Sequence, residues 1–230
     1  MTVLLFDIDN TLLDFDAAEY EALGKLFHRY RIPDTAENRS IYSRENKALW
    51  AIHESGGLSR EELLATRFVN AFKALGHEMP TDGLTLDLEY EHYLSQGHQL
   101  VHHAHELLTV LSERQQEMYV VSNGTSRVSR PRIVEAGLVP YFQKIFISEE
   151  VGAHKPSREF FERIFSQIEA SEQKEFAIIG DSLATDILGG RNAGIHTIWY
   201  NPKLQIAPSN LKPEKEISDL LEVIDLIEEK

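Results

Sequence analysis

The sequence predicts an α/β fold: a doubly wound, Rossmann-like parallel sheet interrupted by an all-helical insertion. Three observations predict it. A single apolar run opens the chain, the stretch after it carries helical periodicity alone, and from about residue 102 short apolar runs alternate with helical periods. The chain has 230 residues, of which 42% are hydrophobic and 26% charged. That is enough for one such core carrying a smaller inserted domain.

Residues 3–8 read as a buried strand, an apolar run ended by polar residues. Helical periodicity follows over 16–30, 35–52, 59–76 and 84–100. It is split by Ile32-Pro33-Asp34, by Gly56-Gly57-Leu58-Ser59 and by Met79-Pro80-Thr81-Asp82-Gly83. Ser59 with Glu62 is a capping-box signature for the third helix. Helix 103–115 then precedes strand 117–122, and helix 126–136 ends at Gly137 before strand 144–148. Helix 157–168 precedes strand 176–180, and helix 184–193 ends at Gly194 before strand 195–200. Residues 216–228 close the series as an amphipathic helix within a solvated acidic tail, 214–230. Short apolar strands alternating with helices imply a parallel sheet covered on both faces. The expected domains are a core of 1–14 with 102–230 and a helical insertion of 15–101.

The formal net charge of −14 argues against a nucleic-acid or anionic-membrane surface, since polyanions would be repelled. A phosphate ligand would have to be met locally, by a metal, a lysine or backbone N–H groups. With no cysteine, disulfides and thiolate metal sites are excluded. The opening run Val3-Leu4-Leu5-Phe6, cut at Asp7, is too short for an export signal or a membrane span. A cytoplasmic protein, monomeric or a small homo-oligomer, is the expectation.

In such folds ligands sit at the carboxyl ends of the strands. The first strand ends in Asp7-Ile8-Asp9-Asn10-Thr11, the second in Ser122-Asn123-Gly124, and the fourth in Gly180-Asp181-Ser182 with Asp186 one turn further; Gly152-Ala153-His154-Lys155-Pro156 follows the third. Asp7 and Asp9, two apart on an extended segment, share a side. Adjacent carboxylates repel unless a proton or cation intervenes, and oxygen-only ligands favour a hard ion such as Mg²⁺. Each piece has a plainer alternative. An isolated Asp-x-Asp can be an Asx-rich turn, Ser-Asn-Gly a turn with a helix cap, and a lysine before proline a solvated residue. Their convergence on several strand ends outweighs those alternatives. Gly189, Gly190 and Gly194 are assigned to packing and helix ending, and His102, His103 and His105 to an exposed helix start rather than a metal site.

Together, Asp7-Ile8-Asp9-Asn10-Thr11, Ser122-Asn123, Lys155 and Gly180-Asp181 with Asp186 resemble the four ordered motifs of the haloacid dehalogenase-like superfamily. The helical insertion between the first two motifs resembles its α-helical cap. The segments 46–50, 147–152 and 186–194 are similar to those of the pyrimidine 5′-nucleotidase branch, which hydrolyses nucleoside monophosphates. The segment 126–132 departs from that branch, where a glutamine is expected near Ser129 and no proline at 131, and 100–106 lacks its Pro-Gly.

The resemblance implies a Mg²⁺-dependent phosphomonoester hydrolase. Asp7 would be the nucleophile, forming an aspartyl-phosphate. Asp9 would be the general acid and then base, with Thr11 orienting it or the turn beyond. Ser122, the Asn123 N–H and Lys155 would bind the phosphoryl oxygens. Asp7, the Asp9 carbonyl and Asp181 would hold the metal, with Asp186 behind Lys155 or a metal-bound water. Dehalogenase relatives lack an acid at the position of Asp9, so its presence favours ester hydrolysis. Asn46 and Trp50 in the cap are candidates to meet a base or sugar, Trp50 equally to pack as cap core. A sugar-phosphate phosphatase or phosphomutase on the same site, and a non-catalytic phospho-ligand module, are the alternatives.

Overall fold

The computed structural model describes residues 2–169 and 174–228. By Cα proximity these form two units, residues 1–16 with 98–230 and residues 17–97. The first opens with β1 (Thr2–Phe6). The second is built from α1 (Phe15–Arg29), whose first residues belong to the larger unit, α2 (Ala36–Glu54), α3 (Arg60–Leu75) and α4 (Gly83–Leu94). The larger unit resumes with α5 (Ala104–Glu113), β2 (Met118–Ser122), α6 (Ser126–Glu135), β3 (Lys144–Ile147), a single turn α7 (Ser148–Val151) and α8 (Arg158–Phe165). It ends with β4 (Glu175–Gly180), α9 (Leu188–Ala193), β5 (His196–Tyr200), β6 (Lys215–Ile217) and α10 (Glu222–Glu228).

Among the described residues the sheet has six strands in the order β3-β2-β1-β4-β5-β6, all parallel. Its doubly wound nature is visible residue by residue. Leu4, Phe6, Met118, Val120, Ala177 and Ile179 pack on one face, under Leu107, Leu108 and Leu111 of α5 and Val223 of α10. Their alternates Val3, Leu5, Tyr119, Val121, Phe176 and Ile178 pack on the other, under Phe160, Phe161 and Ile164 of α8. Strand side chains alternate between faces, so apolar residues at every position require helices on both sides. The chain steps outward from β1 to β3 and returns at β4 on the other flank of β1. That reversal puts the topological switch point at the carboxyl ends of β1 and β4, where such folds bind ligands.

In the helical unit, Ser59 and Glu62 form the expected capping box on α3, and Asp82 caps α4 through the Thr85 N–H. Two expectations are corrected. Helix 84–100 stops at Leu94, where Ser95, Gln96 and Gly97 close it with turn hydrogen bonds. Helix 216–228 begins only at Glu222: Lys215–Ile217 instead pairs with β5, burying Ile217, and Asp219 accepts the Leu221 N–H at 2.9 Å just before α10. Three strand residues are too few to leave a period-2 signal. Residues 229–230 of the expected tail lie outside the described residues. No described helix is long and apolar enough to cross a membrane.

Candidate active site

Asp7 stands where β1 runs out. Its N–H donates to the Ile179 carbonyl at 2.9 Å, extending the ladder to β4 by one residue. The chain then turns sharply: the N–H groups of Leu12 and Leu13 both donate to the Ile8 carbonyl, and Asn10 takes a left-handed φ of 59°. Asn tolerates that region because its side chain bonds locally. Asn10 Oδ1 accepts the N–H groups of Phe15 (3.0 Å) and Asp16 (3.1 Å), so the turn after the strand also caps α1.

The lysine arrives from the loop after α7 and is almost completely buried. Its Nζ donates to Asp7 Oδ1 (2.6 Å), Asp186 Oδ1 (2.6 Å) and the Val121 carbonyl (2.7 Å), which uses all three ammonium protons. Asn123, at the end of β2, grips the same loop by its backbone: Nδ2 donates to the Lys155 carbonyl at 2.8 Å, and Oδ1 accepts the Lys155 N–H at 2.9 Å. Ser122 Oγ accepts the Gly124 N–H at 3.0 Å. A Cβ on Gly124 would lie 2.1 Å from Ser129 Oγ, so only glycine lets α6 pack this closely on the turn.

Asp186 is fully buried on a π-helical turn, Leu183–Ile187, preceding α9. Its second oxygen accepts the Ser182 N–H at 3.1 Å. Thr11 Oγ1 donates to Asp7 Oδ2 at 3.4 Å and accepts the Asp181 N–H at 3.0 Å, so it bonds the Asp7 carboxyl and the Asp181 backbone rather than Asp9. Asp7, Asp181 and Asp186 offer oxygens that all lie within 4.8 Å of one another.

The electrostatics follow from that crowding. Burial pushes the Asp7 carboxyl up to about 7, with Lys155 opposing the rise and Asp186 and Asp9 adding to it. Asp181 is pushed up to about 8, again by burial first and then by Asp7 and Asp186. Burial disfavours the charge on Lys155, but Asp186 and Asp7 outweigh it and hold its pKa above the ordinary lysine value. Three carboxylates face one ammonium. The donor set is all oxygen and carries surplus negative charge, which suits a hard divalent cation.

The Asp9 carboxylate stays outside that cluster and pairs with Arg132 Nη1 from α6. Sequence reasoning missed Arg132, having treated 126–132 only as a departure. A signal was present: Val128, Ser129, Arg132 and Ile133 form the buried stripe of α6, at helical spacing. Asn46 and Trp50 belong to the other unit. Asn46 is buried, its Nδ2 3.4 Å from Glu19 Oε1 and its Oδ1 unpartnered. Trp50 stands edge-on to His53 with the Arg60 guanidinium 5.7 Å from its ring. Of the three histidines, His103 bonds Asp219 at 2.7 Å and tethers the start of α5 to that of α10. His102 is exposed, and His105 contacts the Tyr141 hydroxyl at 3.1 Å.

Residues 4–200 match the model of the haloacid dehalogenase-like hydrolase family. The chain is 42% identical over 225 residues to the pyrimidine 5′-nucleotidase PynA of Streptococcus pneumoniae, covering 96% of this chain and 94% of that one. It is 29% identical to the pyrimidine 5′-nucleotidase YjjG of Escherichia coli, covering 97% and 96%. A crystal structure of the HAD-hydrolase YfnB from Bacillus subtilis, bound to magnesium, superposes with a TM-score of 0.92 at 39% identity, covering 98% of both chains.

Proposed function

The chain belongs to the haloacid dehalogenase-like hydrolase family, and within it we propose a magnesium-dependent phosphomonoester hydrolase that acts on nucleoside 5′-monophosphates, pyrimidine nucleotides foremost, through an aspartyl-phosphate. One observation carries the chemistry. The Asp7 carboxylate is aimed by Lys155 on one oxygen and Thr11 on the other, inside a cluster with more carboxylates than cations. The substrate class rests on the two nucleotidase relatives, which cover nearly the whole chain.

Mg²⁺ would be held by Asp7, the Asp9 carbonyl and Asp181; when bound it neutralises phosphoryl oxygens and screens their repulsion from the carboxylates. The protein's own groups do the rest. An Asp7 oxygen attacks phosphorus, a P–O bond forms and the ester P–O bond breaks, and the departing oxygen takes a proton from Asp9. Lys155 and the Ser122 hydroxyl meet charge on the transferring oxygens. Asp9, now a carboxylate, takes a proton from water as the water oxygen attacks the acyl phosphate. Asp7 is regenerated and inorganic phosphate leaves.

Asp7→Asn is expected to lower phosphate release by about 10³-fold or more, the scale seen when a covalent nucleophile is removed, with the melting temperature retained. Assays with nucleotides and sugar phosphates, with Mg²⁺ and with excess chelator, test the rest. Normal hydrolysis by Asp7→Asn, or full activity in chelator, overturns the mechanism. Preference for sugar phosphates, or isomerisation in place of phosphate release, overturns the substrate assignment.

A further inference from the structure

A fully buried guanidinium needs a reason, because removing it from water is costly unless a partner compensates. Arg132 has 0% side-chain exposure, and its Nη1 donates to Asp9 Oδ1. Its guanidinium carbon lies 5.5 Å from the centre of the Phe15 ring, within reach of cation–π attraction. One turn earlier on α6, Ser129 is wedged against Gly124 in the turn that carries Ser122 and Asn123. The arginine is thereby fixed relative to the proposed phosphate-binding turn.

Asp9 itself keeps 29% side-chain exposure. One oxygen is held from the interior while the carboxylate keeps part of its surface open to solvent. An unheld aspartate could rotate about χ1 and χ2. A proton donor must lie within hydrogen-bond reach of the departing oxygen, and a displacement of about 1 Å can cost on the order of 10²-fold in rate.

We propose that Arg132 is the positioning residue for Asp9, holding one carboxylate oxygen so that the other is presented to the leaving oxygen and then to water. Arg132 does not touch the reacting atoms. The proposal rests on the functional reading above, and its test separates the two.

The test compares an alkyl phosphate, the best nucleoside monophosphate from the panel, with p-nitrophenyl phosphate in rapid-mixing experiments on the Mg²⁺-loaded enzyme. An alkoxide needs a proton to depart, whereas p-nitrophenolate leaves as a stable anion. Arg132→Gln is expected to slow phosphoryl transfer from the alkyl ester at least about tenfold more than from the aryl ester, because only the former draws on the general acid. The loss should fall on kcat with little change in KM. Arg132→Lys should recover part of it. In an Asp9→Asn background, Arg132→Gln should add less than about threefold, since nothing is left to position. Equal slowing on both esters overturns the proposal, as does an undiminished further loss in the Asp9→Asn background. Should Arg132→Gln not fold, Arg132→Lys is judged by the same ester comparison. Turnover surviving in Asp7→Asn overturns the functional reading instead.

Discussion

The two units of this chain each bury charge, and they balance it differently. In the helical unit Arg67 donates to Asp87, both nearly inaccessible, with the guanidinium 4.7 Å from the centre of the Tyr90 ring. Arg60 and Glu91 add one nearby charge of each sign. Burial still pushes Asp87 up to about 6 against the pull of Arg67. In the sheet unit Lys155 must serve Asp7 and Asp186, with Asp181 beside them. A matched pair among aromatic rings is a closed account of its own charge. A cluster short of positive charge is incomplete until a proton or cation joins it, and a site built for a charged ligand should be left in that state.

The largest test of this contrast is in the helical unit. Arg67→Ala leaves Asp87 buried and unpaired and is expected to cost about 3–5 kcal/mol in urea unfolding. Arg67→Met with Asp87→Leu should restore most of that, because the pair stabilises little beyond its own dehydration. A single-variant cost below about 1 kcal/mol would remove the helical unit as the balanced reference.

The second test is in the sheet unit. Without metal, folded Asp7 and Asp181 keep protons up to about 7 and about 8, while in the unfolded chain they have lost them above about 4. The folded state binds more protons across that window, so this contribution to stability is complete at low pH and disappears as pH rises through 7 and 8. In chelator the protein should therefore melt at lower temperature at pH 8.5 than at pH 6. Each proton so held is worth about 1.4 kcal/mol per pH unit. Adding Mg²⁺ should flatten the slope, and Asp181→Asn in chelator should weaken it. A flat or rising profile in chelator would mean that the surplus charge is already neutralised from within.

How far this contrast could be read in advance depended on the distance over which each residue acts. Asp7, Asp9, Asp181 and Lys155 are legible because strand ends in an alternating α/β pattern are converging points, whatever the intervening sequence. The partners that aim them are less legible. Arg132 meets Asp9 across 123 positions, and three arginines within 127–132 leave only helical phase to say which is buried. Thr11, whose motif position suggests that it orients Asp9 or the turn beyond, instead bonds Asp7 and the Asp181 backbone, because the tight turn at Asn10 brings it back to them. The Asn123 side chain holds the Lys155 loop, a contact that depends on how two loops approach and leaves no local pattern. The strand β6 was hidden because it is short and borrows its register from β5.

The smallest expected effect checks the premise beneath the others. On α8, Arg158 and Glu162 pair at 2.8 Å, close to the 2.6 Å of the buried Lys155 pairs, but with side chains 74% and 60% exposed. Water already solvates both ends, and holding two long side chains together costs entropy, so Arg158→Ala should change stability by about 0.5 kcal/mol or less. The difference between this pair and Arg67–Asp87 is then dehydration rather than distance. If Arg158→Ala cost as much as Arg67→Ala, closeness alone would set the scale. Surplus carboxylates around Lys155 would then no longer point to a cation-binding site, because burial would have lost its part in setting their energy.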